Sequence, residues 1–388
     1  MITLLVVIFT AFVGLGLPDS MTGSAWPAIY QELGVSSSLN YCLTMPVTAC
    51  SIMASLASGR LLEKFGTFKV AVFSTLLTSL GILGIYFSHS LVCMSLCGIA
   101  LGFGAGAIDS GLNAFVAEHY SASVMSYLHC SYGIGVAVSP FIISIAIKNG
   151  NWRNGYLTLF FIQIAITAVI ALSAPLWKKY ETPIAKTEKT KEITTKELLK
   201  TKCLFPVLGV YFFACALEFL IGSWLPTYLV TQKEIVKETA AKVLSVYYVG
   251  LTSGRFLSGV FVNKLGSKRI IVAAFCFQAI AVVLLFTPFS AVWFAMTIAF
   301  FAGLGVGPIF PNYTHLTPEF FGEDRYKRVI GLQNATSNAG ILLVPFLYGL
   351  ISSVATHAAF PYVAAVTYSA VITLAIIVNK RIKKKENE

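Results

Sequence analysis

The sequence predicts an all-α membrane protein in which twelve transmembrane helices form two pseudo-symmetric six-helix bundles. Three observations carry that expectation. The 388 residues are 56% hydrophobic and only 12% charged, with a mean hydropathy of +0.77, whereas a soluble domain carries about 25% charged residues. Apolar runs of roughly 17–25 residues, long enough to cross hydrocarbon, recur along the whole chain. The second half also repeats the first at a nearly constant offset.

The spans are expected near 2–30, 38–61, 69–88, 91–117, 124–147, 154–176, 203–230, 241–262, 269–287, 291–316, 328–353 and 358–379. Span 1 starts at Ile2 without a charged flank or a cleavage-like sequence, so it reads as a retained helix. Connections are short except for 178–202, KKYETPIAKTEKTKEITTKELLKTK, which is too polar to enter a bilayer. The expected organisation is therefore a six-helix bundle over 1–177, a linker over 178–202, and a second bundle over 203–388 ending in a short basic tail.

The formal charge of +11 comes from 28 Lys and Arg against 17 Asp and Glu. Of these 28, 21 fall in the linker, the tail and alternate connections, and only Lys148, Arg153, Lys233, Lys237 and Lys242 fall in the opposite ones. That asymmetry places both termini and the linker in the cytoplasm of a multi-pass cell (inner) membrane protein. Basicity then orients the chain in its lipid bilayer, and no nucleic-acid partner is expected. A monomer is. The eight cysteines lie in or beside apolar spans without a CxxC pair and read as small buried hydrophobes. The five histidines show no ligand spacing, and no nucleophile–base motif occurs. Hence no enzyme activity, catalytic residue, metal site or cofactor is expected.

Four stretches define the repeat. Asp19, Gly23, Ser24 and Pro27 of span 1 recur as Glu218, Gly222, Ser223 and Pro226 of span 7, 199 residues later. GRLLEKFG (59–66) matches GVFVNKLG (259–266) at an offset of 200, and GFGAGAI (102–108) matches GLGVGPI (303–309) at 201, as Glu118 matches Glu319. Gly135 and Pro140 of span 5 match Gly340 and Pro345 of span 11 at 205. Parallel six-helix repeats are the plan of major facilitator transporters.

Over its whole length the chain resembles the major facilitator superfamily. The loop signature G-x-x-x-D-[RK]-x-G-[RK]-[RK] is met by Gly59, Lys64, Gly66 and Lys69, with Glu63 for the aspartate and Thr67 and Phe68 breaking the basic run. The second copy keeps Gly259, Lys264, Gly266, Lys268 and Arg269 but has Asn263 for the acid. The resemblance implies that these loops latch the bundles on the cytoplasmic side, with Glu118 and Glu319 as partners at the helix ends. Within the superfamily the chain looks most like the fucose/proton and glucose–galactose symporter branch, which includes sodium-dependent glucose transporters. Asp19, GFGAGAIDSGLN with Asp109 and Asn113, LHCSYGIGVAVSP with His129, and the stretches LEFLIGSWLPTYL and GLTSGRFLSG carry that likeness.

Each in-span polar residue needs a reason. A carboxylate at mid-span costs at least about 2.5–3.5 kcal/mol, so Asp19, Asp109 and Glu218 should face a cavity or a partner and serve ion coupling. Asp109 and Asn113 are one turn apart and share a face; Arg255 of span 8 is a candidate ion partner for Asp109. Trp26 shares a face with Asp19 and could stack on a sugar ring, whereas Trp224 lies off the face of Glu218. Asn312, Asn334 and Asn338, with His129 at the repeat position of Asn334, offer donors and acceptors to a hydroxyl-rich solute. The substrate-binding set is thus Trp26, Asn113, His129, Trp224, Arg255, Asn312, Asn334 and Asn338. The expected function is uptake of a small polar solute, a monosaccharide foremost, by symport with a proton (sodium being the alternative). A proton-coupled exporter of amphipathic compounds and a non-transporting membrane sensor are the competing readings.

The orientation is testable by labelling. Cysteines placed at Lys189 and Lys384 on a cysteine-free background should resist impermeant thiol reagents in intact cells. Labelling from outside at either position would invert the assignment.

Overall fold

An unpaired peptide group costs several kcal/mol in hydrocarbon, so each apolar run must close its own backbone hydrogen bonds as a helix. The computed structural model describes residues 2–120, 122–177, 203–288, 291–321 and 326–386. In the first bundle these form α1 (Ile2–Leu33), α2 (Tyr41–Phe87), α3 (Leu91–His119), α4 (Ala122–Lys148), α5 (Arg153–Leu172) and a short α6 (Ala174–Trp177). The second bundle comprises α7 (Leu204–Lys233), α8 (Lys237–Leu265), α9 (Ser267–Leu285), α10 (Val292–Val306), α11 (Ile309–Phe321), α12 (Tyr326–Ala355) and α13 (Phe360–Glu386). Ten helical stretches are each long and apolar enough to cross a membrane. With spans 2 and 8, the twelve expected crossings are present. The linker 178–202 lies outside the described residues.

Two helix boundaries differ from expectation. Spans 2 and 3 run together in α2 across a kink at Gly66, whose φ of 78° and ψ of 159° are non-helical. Its repeat counterpart Gly266 has φ 78° and ψ 150°, a region that an L side chain avoids. Span 10, expected as one helix, is broken into α10 and α11 at Gly307–Pro308. Pro308 has no N–H to give to the preceding turn, and its ring crowds that turn.

The repeat seen in the sequence is repeated in the packing. A Cβ on Gly106 of α3 would meet Ser51 O of α2 at 2.1 Å, and one on Gly307 would meet Leu251 O of α8 at 2.3 Å. Residues 51 and 106 have 251 and 307 as their repeat positions, so the same backbone-on-backbone crossing is built twice. Small residues are used because two helices in lipid gain mainly from close approach. Each bundle has its own apolar core, and Val136 and Ala137 of α4 join the core of the second bundle. Exposed apolar side chains such as Phe73, Leu172 and Val354 form the surface that hydrocarbon covers. All eight cysteines are free, but only Cys50 and Cys215 are buried; Cys93 and Cys276 are exposed. The expectation of buried cysteines therefore fails for those two, which sit on outward helix faces.

The bundles meet on the face opposite the linker, here the loop face. Gly23 of α1 and its repeat counterpart Gly222 of α7 touch there: a Cβ on Gly23 would lie 2.1 Å from Gly222 O. Asn40 Nδ2 donates to Ser223 O at 2.6 Å, His357 Nε2 contacts Ser37 Oγ at 2.9 Å, and Tyr41 packs edge-on against Phe346 at 5.2 Å. Deeper in, Ser245 Oγ donates to Ala137 O, and Gly133 abuts Thr252. The described cross-bundle hydrogen bonds and ring contacts all lie between mid-depth and the loop face, so the seal is on that face. The three described ion pairs each lie within one bundle.

A side chain at Gly23 should open this seal. Overpacking costs about 1–3 kcal/mol, and each 1.4 kcal/mol shifts a population tenfold. Gly23→Val should raise the reactivity of a cysteine at Ser37 toward impermeant thiol reagents at least severalfold. Unchanged reactivity would show that the two glycines do not hold the loop face shut.

Candidate functional site

The seal decides where the charged groups sit. Asp19 is one helical turn from Gly23, on the side of the linker face, and Glu218 stands in the same relation to Gly222. Taking 1.5 Å per residue, both carboxylates are about 20–25 Å from either end of their helices. Glu218 is buried and Asp19 half-buried, and Asp109 of α3 and Glu218 are both within electrostatic reach of Asp19.

Each carboxylate has its own partner. Tyr132 of α4 donates its hydroxyl to Asp19 Oδ2 at 2.6 Å. Arg255 of α8 places one guanidinium nitrogen 3.2 Å from Glu218 Oε1 and 3.4 Å from Oε2. The Arg255 guanidinium also lies 5.9 Å from the centre of the Tyr132 ring, within cation–π range. Asp109 Oδ1 accepts from Asn113 Nδ2 at 2.9 Å, and Asn113 Oδ1 is buried without a partner. The ion pair considered between Asp109 and Arg255 is thus not formed, because the guanidinium is taken by Glu218. The described cluster thus sets three carboxyl groups against one guanidinium.

His129 is half-buried on α4, edge-on to Phe12 at 5.9 Å, and the charge of Arg255 reaches it. On α12, Asn334, Asn338, Pro345 and Gly349 recur on one helical face. That face meets Tyr41 and Ser38 of the first bundle at Gly349. Nearer the linker face Asn334 is exposed and Asn338 half-buried, so both amides are accessible. Tyr132 and the buried Tyr247 and Tyr248 were missed by sequence reasoning, since tyrosines in spans are usually belt or packing residues. Only the place of Tyr132 in LHCSYGIG, three residues after His129, marked it.

Other expected ligands are engaged elsewhere. Trp26 is fully buried and donates to Ser37 O at 2.6 Å. Trp224 is 1% exposed, donates to Pro345 O at 3.1 Å, and packs on Tyr348 and His357. Both indoles belong to the loop-face seal and offer no stacking platform to the cleft. Asn312 is also buried, donating to Ser258 Oγ at 2.6 Å and Pro308 O at 2.7 Å. It ties α11 to α8 and braces the break in span 10.

No cross-bundle latch pair occurs among the described residues: Glu319 pairs with Lys268 at 2.8 Å inside the second bundle. Gly66 and Gly266 make the matching turns already described, while Gly259 is in open space. Lys64 lies over the Phe65 ring at 5.2 Å and Lys264 is exposed, as is Asn263. The side chains of Glu63 and Glu118 lie outside the described residues, as does the surrounding of Gly59.

The model of the Major Facilitator Superfamily matches residues 8–345 and again 207–388. The chain belongs to that superfamily. A solved peptide transporter in complex with sulfate superimposes with a TM-score of 0.73 at 14% identity, covering 97% of this chain and 94% of that one. Among similar proteins, Bypass of stop codon protein 6 of Saccharomyces cerevisiae is 25% identical over 379 residues, 88% of this chain and 75% of its own. A probable nitrate transporter of Staphylococcus epidermidis is 25% identical over 373 residues, covering 94% and 93%. A multi-pass membrane transporter, not an enzyme, follows from this membership. The narrower fucose and glucose–galactose likeness is not carried by these relatives.

If these accessible amides contact solute, Asn334→Ala and Asn338→Ala should each weaken binding about three- to tenfold. That corresponds to losing one hydrogen bond to an uncharged group, about 0.5–1.5 kcal/mol. Unchanged affinity together with a lowered melting temperature would make them packing residues.

Proposed function

We propose that this superfamily member takes up a small, uncharged, hydroxyl-rich solute, a monosaccharide foremost, together with a proton. The observation that carries this reading is the pair of repeat-related carboxylates, Asp19 and Glu218, at mid-depth beside the contact that closes the loop face. A group that must change charge during transport belongs where the two bundles separate, because there it meets water from each side in turn. Asp19 has a neutral partner in Tyr132 and is the coupling site; Glu218 is held by Arg255. The excess of carboxylates disfavours an anionic solute, and the accessible amides of Asn334 and Asn338 suit hydroxyls. The termini and linker are placed in the cytoplasm on the charge asymmetry of the connections.

A second reading has specific support. The Staphylococcus relative is named for nitrate, and Arg255 at mid-depth could receive an anion once Glu218 is protonated. A thermal-shift panel separates the two, since a ligand of the folded state raises its stability. Neutral sugars should raise the melting temperature and nitrate or small carboxylates should not; the reverse pattern selects the anion reading.

Coupling is tested at Asp19. Asp19→Asn keeps the shape and fixes the site as neutral, so counterflow of the solute found by the panel should persist. Accumulation driven by a pH gradient should vanish. Retained accumulation would move coupling to Asp109 or Glu218.

A further inference from the structure

Tyr132 touches both parts of the charged cluster, and the repeat shows that it is not a generic feature of span 5. Its hydroxyl donates to Asp19 at 2.6 Å, and its ring lies 5.9 Å from the guanidinium that pairs with Glu218. Asp19, Tyr132, Arg255 and Glu218 thus form a continuous chain through α1, α4, α8 and α7, passing between bundles at Tyr132–Arg255. At the repeat offsets of 205 and 200, the counterpart of Tyr132 is Ser337 and that of Arg255 is Ser55. The two carboxylates are therefore related by the repeat while their partners are not. One is held by a neutral phenol from its own bundle, the other by a fixed cation.

We propose that Tyr132 is a positioning residue that passes the charge state of Asp19 to the Arg255–Glu218 pair in the other bundle; this rests on the reading of Asp19 as the proton site. Ionised Asp19 takes a charge-assisted hydrogen bond from the phenol, roughly twice as strong as a neutral one. Polarising the O–H toward the carboxylate enriches the ring in electrons and tightens its attraction for the guanidinium. When Asp19 takes a proton from water, that bond weakens, the ring loosens its hold, and the second bundle is freed at the mid-depth contact. Tyr132 keeps its own proton throughout; the transported proton enters and leaves at the Asp19 carboxyl. The other titratable groups facing this chain are Asp109 from α3, Tyr247 and Tyr248 from α8 and Cys215 from α7, with His129 and Cys130 of α4 on the Arg255 side.

The test needs no solute. Difference infrared spectroscopy of the purified full-length protein, titrated with acid, isolates the protonated-carboxyl band that Asp19→Asn removes. Pulsed electron-spin distances between labels at Ser36 and Ala355, on the two bundles at the loop face, report bundle separation in the same titration. In Tyr132→Phe the ring stays but the donor is gone, so the Asp19 band should titrate about one pH unit or more higher. The pH response of the label distance should fall at least severalfold. Tyrosine fluorinated beside the hydroxyl at position 132, a stronger donor that preserves packing, should move the band to lower pH. An unmoved band in both variants, or a shifted band with an undiminished distance response, overturns the proposal. If instead Asp19→Asn leaves proton-driven accumulation intact, the reading of Asp19 fails, and this is a separate result from either outcome at Tyr132.

Discussion

The structure depends on one backbone contact between two glycines. Gly23 and Gly222 let α1 and α7 approach until a Cβ on the first would meet the carbonyl of the second. Because the two residues are repeat counterparts, the contact lies on the pseudo-symmetry axis and fixes how the bundles are paired. Everything on the loop side, from Asn40–Ser223 to His357–Ser37, is a polar and aromatic seal built around it. One turn away on the linker side are Asp19 and Glu218, and beyond them the exposed Asn334.

The placement of charge follows. Burying an ion in low dielectric costs several kcal/mol even after relaxation, and one good partner only partly compensates. Glu218 meets that cost with Arg255, whereas Asp19 has only the phenol of Tyr132. The same scaffold therefore holds its two repeat-related carboxylates with unlike partners, one a fixed cation and one a neutral phenol. A repeated fold with unlike partners at equivalent carboxylates is no longer symmetric where its charge is buried.

The helices, their number and the two-bundle plan were legible because hydrocarbon demands long apolar runs and because span 1 and span 7 share their polar spacing. The charged residues of the site were legible for a related reason: Asp19, Asp109, Glu218 and Arg255 are too costly in mid-span to be incidental. Pairing was not legible. Arg255 is compatible with Asp109 or Glu218 on spacing alone, and only the packing of α7 against α8 assigns it to Glu218. The indoles of Trp26 and Trp224 were misplaced because a residue near a site along the helix axis can belong to the seal one or two turns away. Asn312 was misread because the break at Pro308 leaves polar backbone that the amide satisfies, a demand invisible until the helix is seen to stop. Tyr132 escaped notice since nothing in its type distinguishes a proton-site partner from a packing tyrosine.

Alternating access requires the Gly23–Gly222 seal to open and close in every cycle. The most direct measurement is transport with that seal tied shut. Cysteines at Tyr41 and Phe346, whose rings are 5.2 Å apart across the bundles, can be joined by a short cleavable thiol cross-linker on a cysteine-free background. Uptake of the solute identified by thermal shift should cease in the cross-linked protein and return when the link is cleaved. Uptake that continues at the parental rate in fully cross-linked protein would contradict the account.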